Sequence, residues 1–190
     1  MDKEDRIQMA RETMQITKQG FYYNSNEKKV PLETENSRSV YAVNLYSPHT
    51  LQIIAEDDRD ECFKRDFAAS DYCTFYLVDA DSFTAAQGMN SPLVMNFANA
   101  HYPGGAFLNG ASAQEESLCR TSTLYASISS SKAKVMYDYN NQNYSEFDSD
   151  YMLLSPNVVV FRDEKCNLMD KPYKVGVATV AAPNRNGHAM

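Results

Sequence analysis

The first apolar pattern along the chain is helical. Ile7, Ala10, Met14 and Thr17 recur at helical spacing with charges between them, which predicts an amphipathic helix over residues 2–18, stopped by Gly20. FYYNSNEKKV then reads as a strand, a turn at Asn24 to Asn26 and a returning strand. SVYAVNLYSP (39–48) alternates and ends at Pro48, a strand pattern, and the polar, mixed stretch 50–70 is read as helix. CTFYLVDA (73–80) is an apolar run that predicts a buried strand. DSFTAAQG (81–88) has a capping residue, helix formers and a stopping glycine. PLVMNFANA (92–100) predicts a second buried strand, and a helix is expected from Ser112 to about Ser129, packing through Leu118, Thr121 and Tyr125. YDYNNQNYSEFDSD (137–150) reads as loop, and VVVFRD (158–163) and KVGVATVAAP (174–183) as two further strands.

Strands alternating with helices imply an α/β sheet covered by helices. The run VGVATVAAPN has the character of a central strand entering a loop, which calls for neighbouring strands and a covering helix. Only RNGHAM follows it, so the architecture is expected to lack its C-terminal part and to leave an unpaired sheet edge at 174–181, open to association.

Composition narrows the function. At 190 residues and 43% hydrophobic content the chain suits one domain or most of one, able to bury about two-thirds of its unfolded surface. A formal charge of −7 argues against direct nucleic-acid binding, which rests on attraction to phosphates. No apolar run approaches the roughly 20 residues that span a membrane. MDKEDRIQMARE has no apolar signal core, so cytoplasmic residence is expected. Cys62, Cys73, Cys119 and Cys166 show no C-x-x-C spacing and are read as reduced structural thiols; His49, His101 and His188 are far apart in sequence. Neither a metal nor a cofactor is called for.

The chemistry concentrates in Asn96 to Tyr125, NFANAHYPGGAFLNGASAQEESLCRTSTLY. A strand delivers Asn96 and Asn99 at its carboxyl end, where open α/β sheets bind ligands. Gly104, Gly105 and Gly110 let backbone N–H groups approach phosphate or ribose oxygens. Gln114, Glu115 and Glu116 open the following helix. Each feature also has a plain structural reading: a turn at Gly104-Gly105, a Ser112/Glu115 capping box, strand-end asparagines, and glutamates in solvent. Adjacent helical residues point about 100° apart, so the two glutamates cannot both face one atom, and one caps or orients while the other reacts.

The whole run resembles the bacterial-type poly(ADP-ribose) glycohydrolase family, a branch of the macrodomain fold. Its signature of three glycines, a short spacer and Gln-Glu-Glu corresponds to Gly104, Gly105 and Ala106, then seven residues, then Gln114 to Glu116. NFANA, SLCRTSTLY, VDADSFTAA and ATVAAPN are also similar to the family. The chain departs from the pattern at Ala106, where a methyl would crowd a ligand if φ were positive, and in lacking the family's second glycine-rich loop. The resemblance implies an α/β/α sandwich: residues 1–40 as a helical extension with accessory strands, and 41–190 as a C-terminally incomplete catalytic domain. It implies a hydrolase that cleaves ribose–ribose bonds of poly(ADP-ribose) and releases ADP-ribose, with Glu116 as general acid/base and Glu115 orienting the distal ribose. Asn99 would hold that ribose, Gly104, Gly105, Ala106 and Phe107 would wrap it and the adjacent phosphate, and Asn96 and Gln114 would complete the site. Asp81 and Ser82 occupy a region that contacts adenine in macrodomains, although an N-cap role explains Asp81 equally well. The alternatives are an ADP-ribose-binding module without activity and an inactive fragment of such an enzyme.

Overall fold

The structure, a computed structural model, describes residues 1–32, 39–62, 74–143 and 148–182. Helix α1 spans Lys3–Gln19; Asp2 and Asp5 form a reciprocal capping box, and Gly20 ends the helix at φ 78° with its N–H on the Ile16 carbonyl. The buried stripe is Ala10, Thr13, Ile16 and Thr17, whereas Met14, expected inside, is 38% exposed. Thr13 is drawn in because its hydroxyl donates to the Arg120 carbonyl at 2.7 Å. Strands β1 (Phe21–Tyr23) and β2 (Lys29–Pro31) make the expected hairpin, its turn closed by the Asn24 side-chain oxygen accepting from the N–H groups of Asn26 and Lys28.

The strand expected over 39–48 is shorter: a 3-10 turn at Ser39–Tyr41 precedes β3, Asn44–Tyr46. Helix α2 follows at Pro48–Cys62, and the remainder of the expected helix to residue 70, like Cys73, lies outside the described residues. Residues 74–80 overturn the buried strand expected there. They form no strand, and Phe75, Tyr76 and Leu77 are exposed. An apolar run becomes a strand only when a neighbour takes its backbone hydrogen bonds, and no described strand lies beside this one.

Asp81 caps α3 (Ser82–Ala86), and β4 follows at Leu93–Ala98. The expected helix 112–129 is two, α4 at Gln114–Thr121 and α5 at Leu124–Ile128. Thr123 breaks it by exchanging bonds with strand β5: its hydroxyl accepts from the Val159 N–H and its own N–H donates to the Val159 carbonyl. Leu118 and Tyr125 still pack on one core, but from different helices. Residues 137–142, expected as loop, belong to helix α6, Lys134–Gln142. Met136, Tyr137 and Asn140 are buried there at helical spacing, a pattern that the Tyr- and Asn-rich composition conceals.

Strands β5 (Met152–Arg162) and β6 (Leu168–Ala181) complete a sheet of order β3-β5-β6-β4, in which β4 runs parallel to β6 and the other pairs are antiparallel. β6 is therefore interior, and the unpaired edge expected at 174–181 is corrected: among the described residues the edges are β3 and β4. Successive β5 residues enter different cores, which explains the unbroken run VVVF. Val158 and Val160 join Leu118, Leu124, Met136 and Val177; Val159 and Phe161 join Ile16, Tyr22, Val30 and Leu32. The helix-covered mixed sheet is macrodomain-like.

The N-terminal hairpin and α1 are thus fastened through Phe161 and its neighbours. Phe161→Ala should cost about 3–5 kcal/mol in urea denaturation while unfolding stays a single transition. A separate early transition confined to the N-terminal elements would contradict this coupling.

Candidate active site

The sequence from β4 to α4 folds into a loop closed by its own polar groups. The Asn99 side-chain oxygen accepts from the N–H groups of His101 and Tyr102, both at 2.9 Å, turning the chain at the carboxyl end of β4. Gly104 and Gly105 have φ of 72° and 55°. A Cβ on Gly104 would meet the Tyr125 ring at 2.8 Å, and one on Gly105 would stand 2.5 Å from Glu116 Oε1. Both glycines are therefore required by backbone conformation and by close approach. Ala106, by contrast, sits at φ −100°, so its methyl imposes no backbone strain. Phe107 is wholly buried against Tyr125, so only its backbone faces the loop.

The two glutamates are both buried and differently bound. Glu115 accepts three N–H donors: Asn99 N at 2.8 Å on Oε2, and Gly104 N at 3.1 Å and Asn96 Nδ2 at 3.4 Å on Oε1. Glu116 accepts from Ala106 N at 3.1 Å through Oε1, while its Oε2 is buried without a partner. The Ser112/Glu115 capping box does not form, because Ala113 is the cap residue and the Glu115 carboxylate is turned toward the loop. Nor does Glu116 point into solvent. Their side chains reach neighbouring parts of one glycine loop, one tied down and the other with a bare oxygen.

Burial pushes the Glu115 carboxyl up to about 7, against the lowering effect of its N–H donors. Tyr137, behind the loop with its hydroxyl unpartnered, is raised by burial and then by the Glu115 charge. Cys119, also buried, is raised well above its ordinary value, chiefly by desolvation, and is inert as a nucleophile. Cys119 and Cys166 are free thiols; the side chains of Cys62 and Cys73 lie outside the described residues.

Gln114 faces the β4 edge, with Oε1 accepting from Phe97 N at 2.9 Å and Nε2 donating to the Met95 carbonyl at 2.8 Å. It also stands 3.5 Å from the Ser82 hydroxyl. Asp81 accepts from the N–H groups of Phe83 and Thr84 as the cap of α3. Asp81, Ser82, Gln114, Ser117 and Arg120 line a cavity of about 500 Å³ whose wall includes neither Glu115 nor Glu116. The candidate residues thus fall into a carboxylate loop and a cavity, with Gln114 between them. Asn96 belongs behind the loop: it is fully buried and donates to Thr179 as well as to Glu115.

Sequence reasoning missed the supports. Thr179 sits opposite Asn96 in the β4–β6 register, a pairing no local pattern reveals. Asn140 and Asn141 of α6 donate to the carbonyls of Ala100 and His101, fastening the loop from a segment read as irregular. Arg120 holds the Ala111 carbonyl and the Ser117 hydroxyl, steadying the chain that enters α4.

A helix-covered mixed sheet with a glycine loop and paired glutamates at the end of a parallel strand defines a macrodomain-like glycohydrolase fold. Residues 10–163 match the family model of the microbial-type PARG catalytic domain, and the chain belongs to that family. The poly(ADP-ribose) glycohydrolase of Thermomonospora curvata superposes with a TM-score of 0.84 at 32% identity, over 98% of this chain and 67% of that one. The same enzyme bound to the inhibitor ADP-HPD gives 0.82 at 31% identity, over 97% and 65%. The Deinococcus radiodurans enzyme in complex with ADP-ribose gives 0.66 at 34%, over 75% and 56%. The chain thus spans about two thirds of the length of the Thermomonospora enzyme. No curated protein matches it significantly. No helix among the described residues is long and apolar enough to cross a membrane.

The raised Glu115 carboxyl has a consequence for stability. Between about pH 4.5 and 7 the folded chain keeps a proton that the unfolded chain has released, so folding loses stability as pH rises through that window. The melting temperature should fall from pH 5 to 7.5, and Glu115→Gln should flatten the fall. An equally steep profile in the variant would mean that another group is responsible.

Proposed function

We propose that the chain carries the carboxylate machinery of poly(ADP-ribose) hydrolysis, with Glu116 as general acid/base and Glu115 as the residue that orients the distal ribose. The observation that carries this reading is the unequal binding of the pair: Glu115 holds three N–H donors, and Glu116, whose Oε1 lies against Gly105, retains in Oε2 a buried oxygen with no partner. Family membership and solved relatives that hold ADP-ribose or ADP-HPD support the substrate class.

Cleavage of a ribose–ribose O-glycosidic bond passes through an oxocarbenium-like state. The leaving hydroxyl oxygen takes a proton from Glu116 as the bond breaks. Glu116 then removes a proton from the attacking water, which restores the acid. Glu115, fixed by the Asn99 and Gly104 N–H groups, accepts a hydrogen bond from a ribose hydroxyl. The 104–106 turn, at a site too narrow for a Cβ and with its N–H groups engaged by Glu115, the Tyr102 carbonyl and Glu116, lies against the sugar and its phosphate. Asn99 contributes mainly through this turn, since its side-chain oxygen is already engaged.

A second reading is recognition of terminal ADP-ribose without cleavage. It is favoured by the separation of the cavity beside Asp81 and Ser82 from the two glutamates. Glu116→Gln separates the two. It should lower polymer hydrolysis 100- to 10,000-fold and leave ADP-ribose binding intact, because glutamine keeps shape and hydrogen bonding but transfers no proton. Glu115→Gln should act on substrate positioning and cost less. Equal release of ADP-ribose by wild type and Glu116→Gln would remove Glu116 from the chemistry, and absent hydrolysis with ADP-ribose binding retained in both would favour the recognition module.

A further inference from the structure

We propose that His101 is a positioning residue of the glycine loop, an imidazolium that clamps the loop between α6 and Asp148 and makes its hold on Glu115 depend on pH. The consequence for substrate rests on the reading of this loop as the sugar site; the clamp itself does not. His101 stands in the chain between Asn99 and Gly104, the two residues whose backbone N–H groups hold Glu115. Whatever fixes His101 therefore fixes the spacing of those donors.

Every polar group of His101 is engaged. Its N–H donates to the Asn99 side-chain oxygen at 2.9 Å, and its carbonyl accepts from Asn141 Nδ2 at 3.2 Å. Ring Nδ1 lies 3.0 Å from Asn141 Oδ1, and Nε2 lies 3.3 Å from Asp148 Oδ1. These contacts dictate where the ring's protons sit. A carbonyl only accepts, so the amide nitrogen of Asn141 faces the His101 carbonyl and its oxygen faces the ring. Nδ1 therefore carries a proton. Nε2 faces a carboxylate, which when ionised also only accepts, so a second proton lies between Nε2 and Asp148. Removing it sets a nitrogen lone pair against a negative charge where little water can reach, since the two side chains are 18% and 3% exposed.

The clamp is anchored at its far ends. Asn140, beside Asn141 on α6, donates to the Ala100 carbonyl at 2.9 Å and accepts from the Ser149 hydroxyl. Asp148 stands at φ 56°, a left-handed conformation that the surrounding structure must hold in place. Residues 99–101, α6 and Asp148–Ser149 thus close a triangle, in which the His101–Asp148 pair is the side that can lose its charge balance. The other titratable groups near it are committed elsewhere. Asp138, one turn earlier on α6, pairs with Lys134; Asp150 is exposed; and Glu115 is joined to His101 through Asn99.

Two measurements test this. Nitrogen NMR of the histidine rings reads the clamp directly, the His101 signal being the one absent from His101→Gln. Once the ring has lost one proton it should keep the other on Nδ1, the tautomer that free histidine disfavours, and the Gly104 and Gly105 amide signals should move together with the ring. A neutral ring protonated on Nε2, or glycine amides that do not follow it, would overturn the clamp. The second measurement is ADP-ribose binding by calorimetry between about pH 5 and 8, where histidine changes charge. Titration of Glu115 is common to all variants, so comparing them isolates His101. Across this interval wild type should lose about tenfold more affinity than Asp148→Asn. A carboxamide there serves the ring in both states, accepting from the imidazolium and donating to the neutral ring, and asparagine tolerates the left-handed backbone. His101→Ala should bind weakly throughout. Equal pH profiles for wild type and Asp148→Asn would overturn the pH dependence. No ADP-ribose binding by any variant, with the NMR result as expected, would remove the sugar-site reading and leave the clamp established.

Discussion

The site depends on the Glu115 carboxylate. It is buried at the start of α4 and binds the Asn99 N–H at the end of β4, the Gly104 N–H in the loop and the Asn96 side chain within the sheet. A carboxylate left in such a place without donors would be expelled by the cost of losing water. With them it ties helix, loop and strand into one unit. Gly104 and Gly105 can turn back across the helix because they have no side chains, and this return brings Ala106 N to Glu116. The neighbouring Glu116 makes one such bond, and its second oxygen stays buried without a partner.

The supports of this unit come from distant parts of the chain. Thr179 on β6 holds Asn96, which holds Glu115. Asn140 and Asn141 hold the Ala100–His101 carbonyls, and His101 Nε2 lies 3.3 Å from Asp148. Arg120 fixes the approach to α4 and accepts the hydroxyl of Thr13 from α1 on its carbonyl. The N-terminal helix is therefore joined to the helix that carries both glutamates. α1 also reaches the loop and the cavity directly, through Arg6, whose Nε donates to the Gly110 carbonyl at 2.6 Å and which lines the cavity beside Asp81 and Ser82.

The elements legible in the sequence were those with local causes. Asp2 and Gly20 bound α1, Asn24 makes the hairpin turn, Asp81 caps α3, and the glycine and Gln-Glu-Glu run fixes the loop and α4. What misled was a signal whose meaning depends on distant partners. CTFYLVDA has the composition of a buried strand, but residues 74–80 find no ladder among the described residues. The Ser112 to Ser129 stretch is helical in pattern, but Thr123 is claimed by Val159 across 36 positions. Residues 137–142 look like a loop because Tyr and Asn hide a helical face whose asparagines serve the site. Ser112 and Glu115 fit a capping box by spacing, yet the Glu115 carboxylate finds stronger use in the loop.

The central claim is that Glu116, with its Oε2 buried and bare, is the group that meets the scissile sugar. A crystal structure of the chain with ADP-ribose tests it most directly. The account predicts the distal ribose in the 99–106 loop, its anomeric oxygen within about 2.6–3.2 Å of Glu116 Oε2 and Glu115 still on its N–H donors. ADP-ribose bound wholly in the cavity beside Asp81 and Ser82, with Glu116 Oε2 untouched, would contradict it.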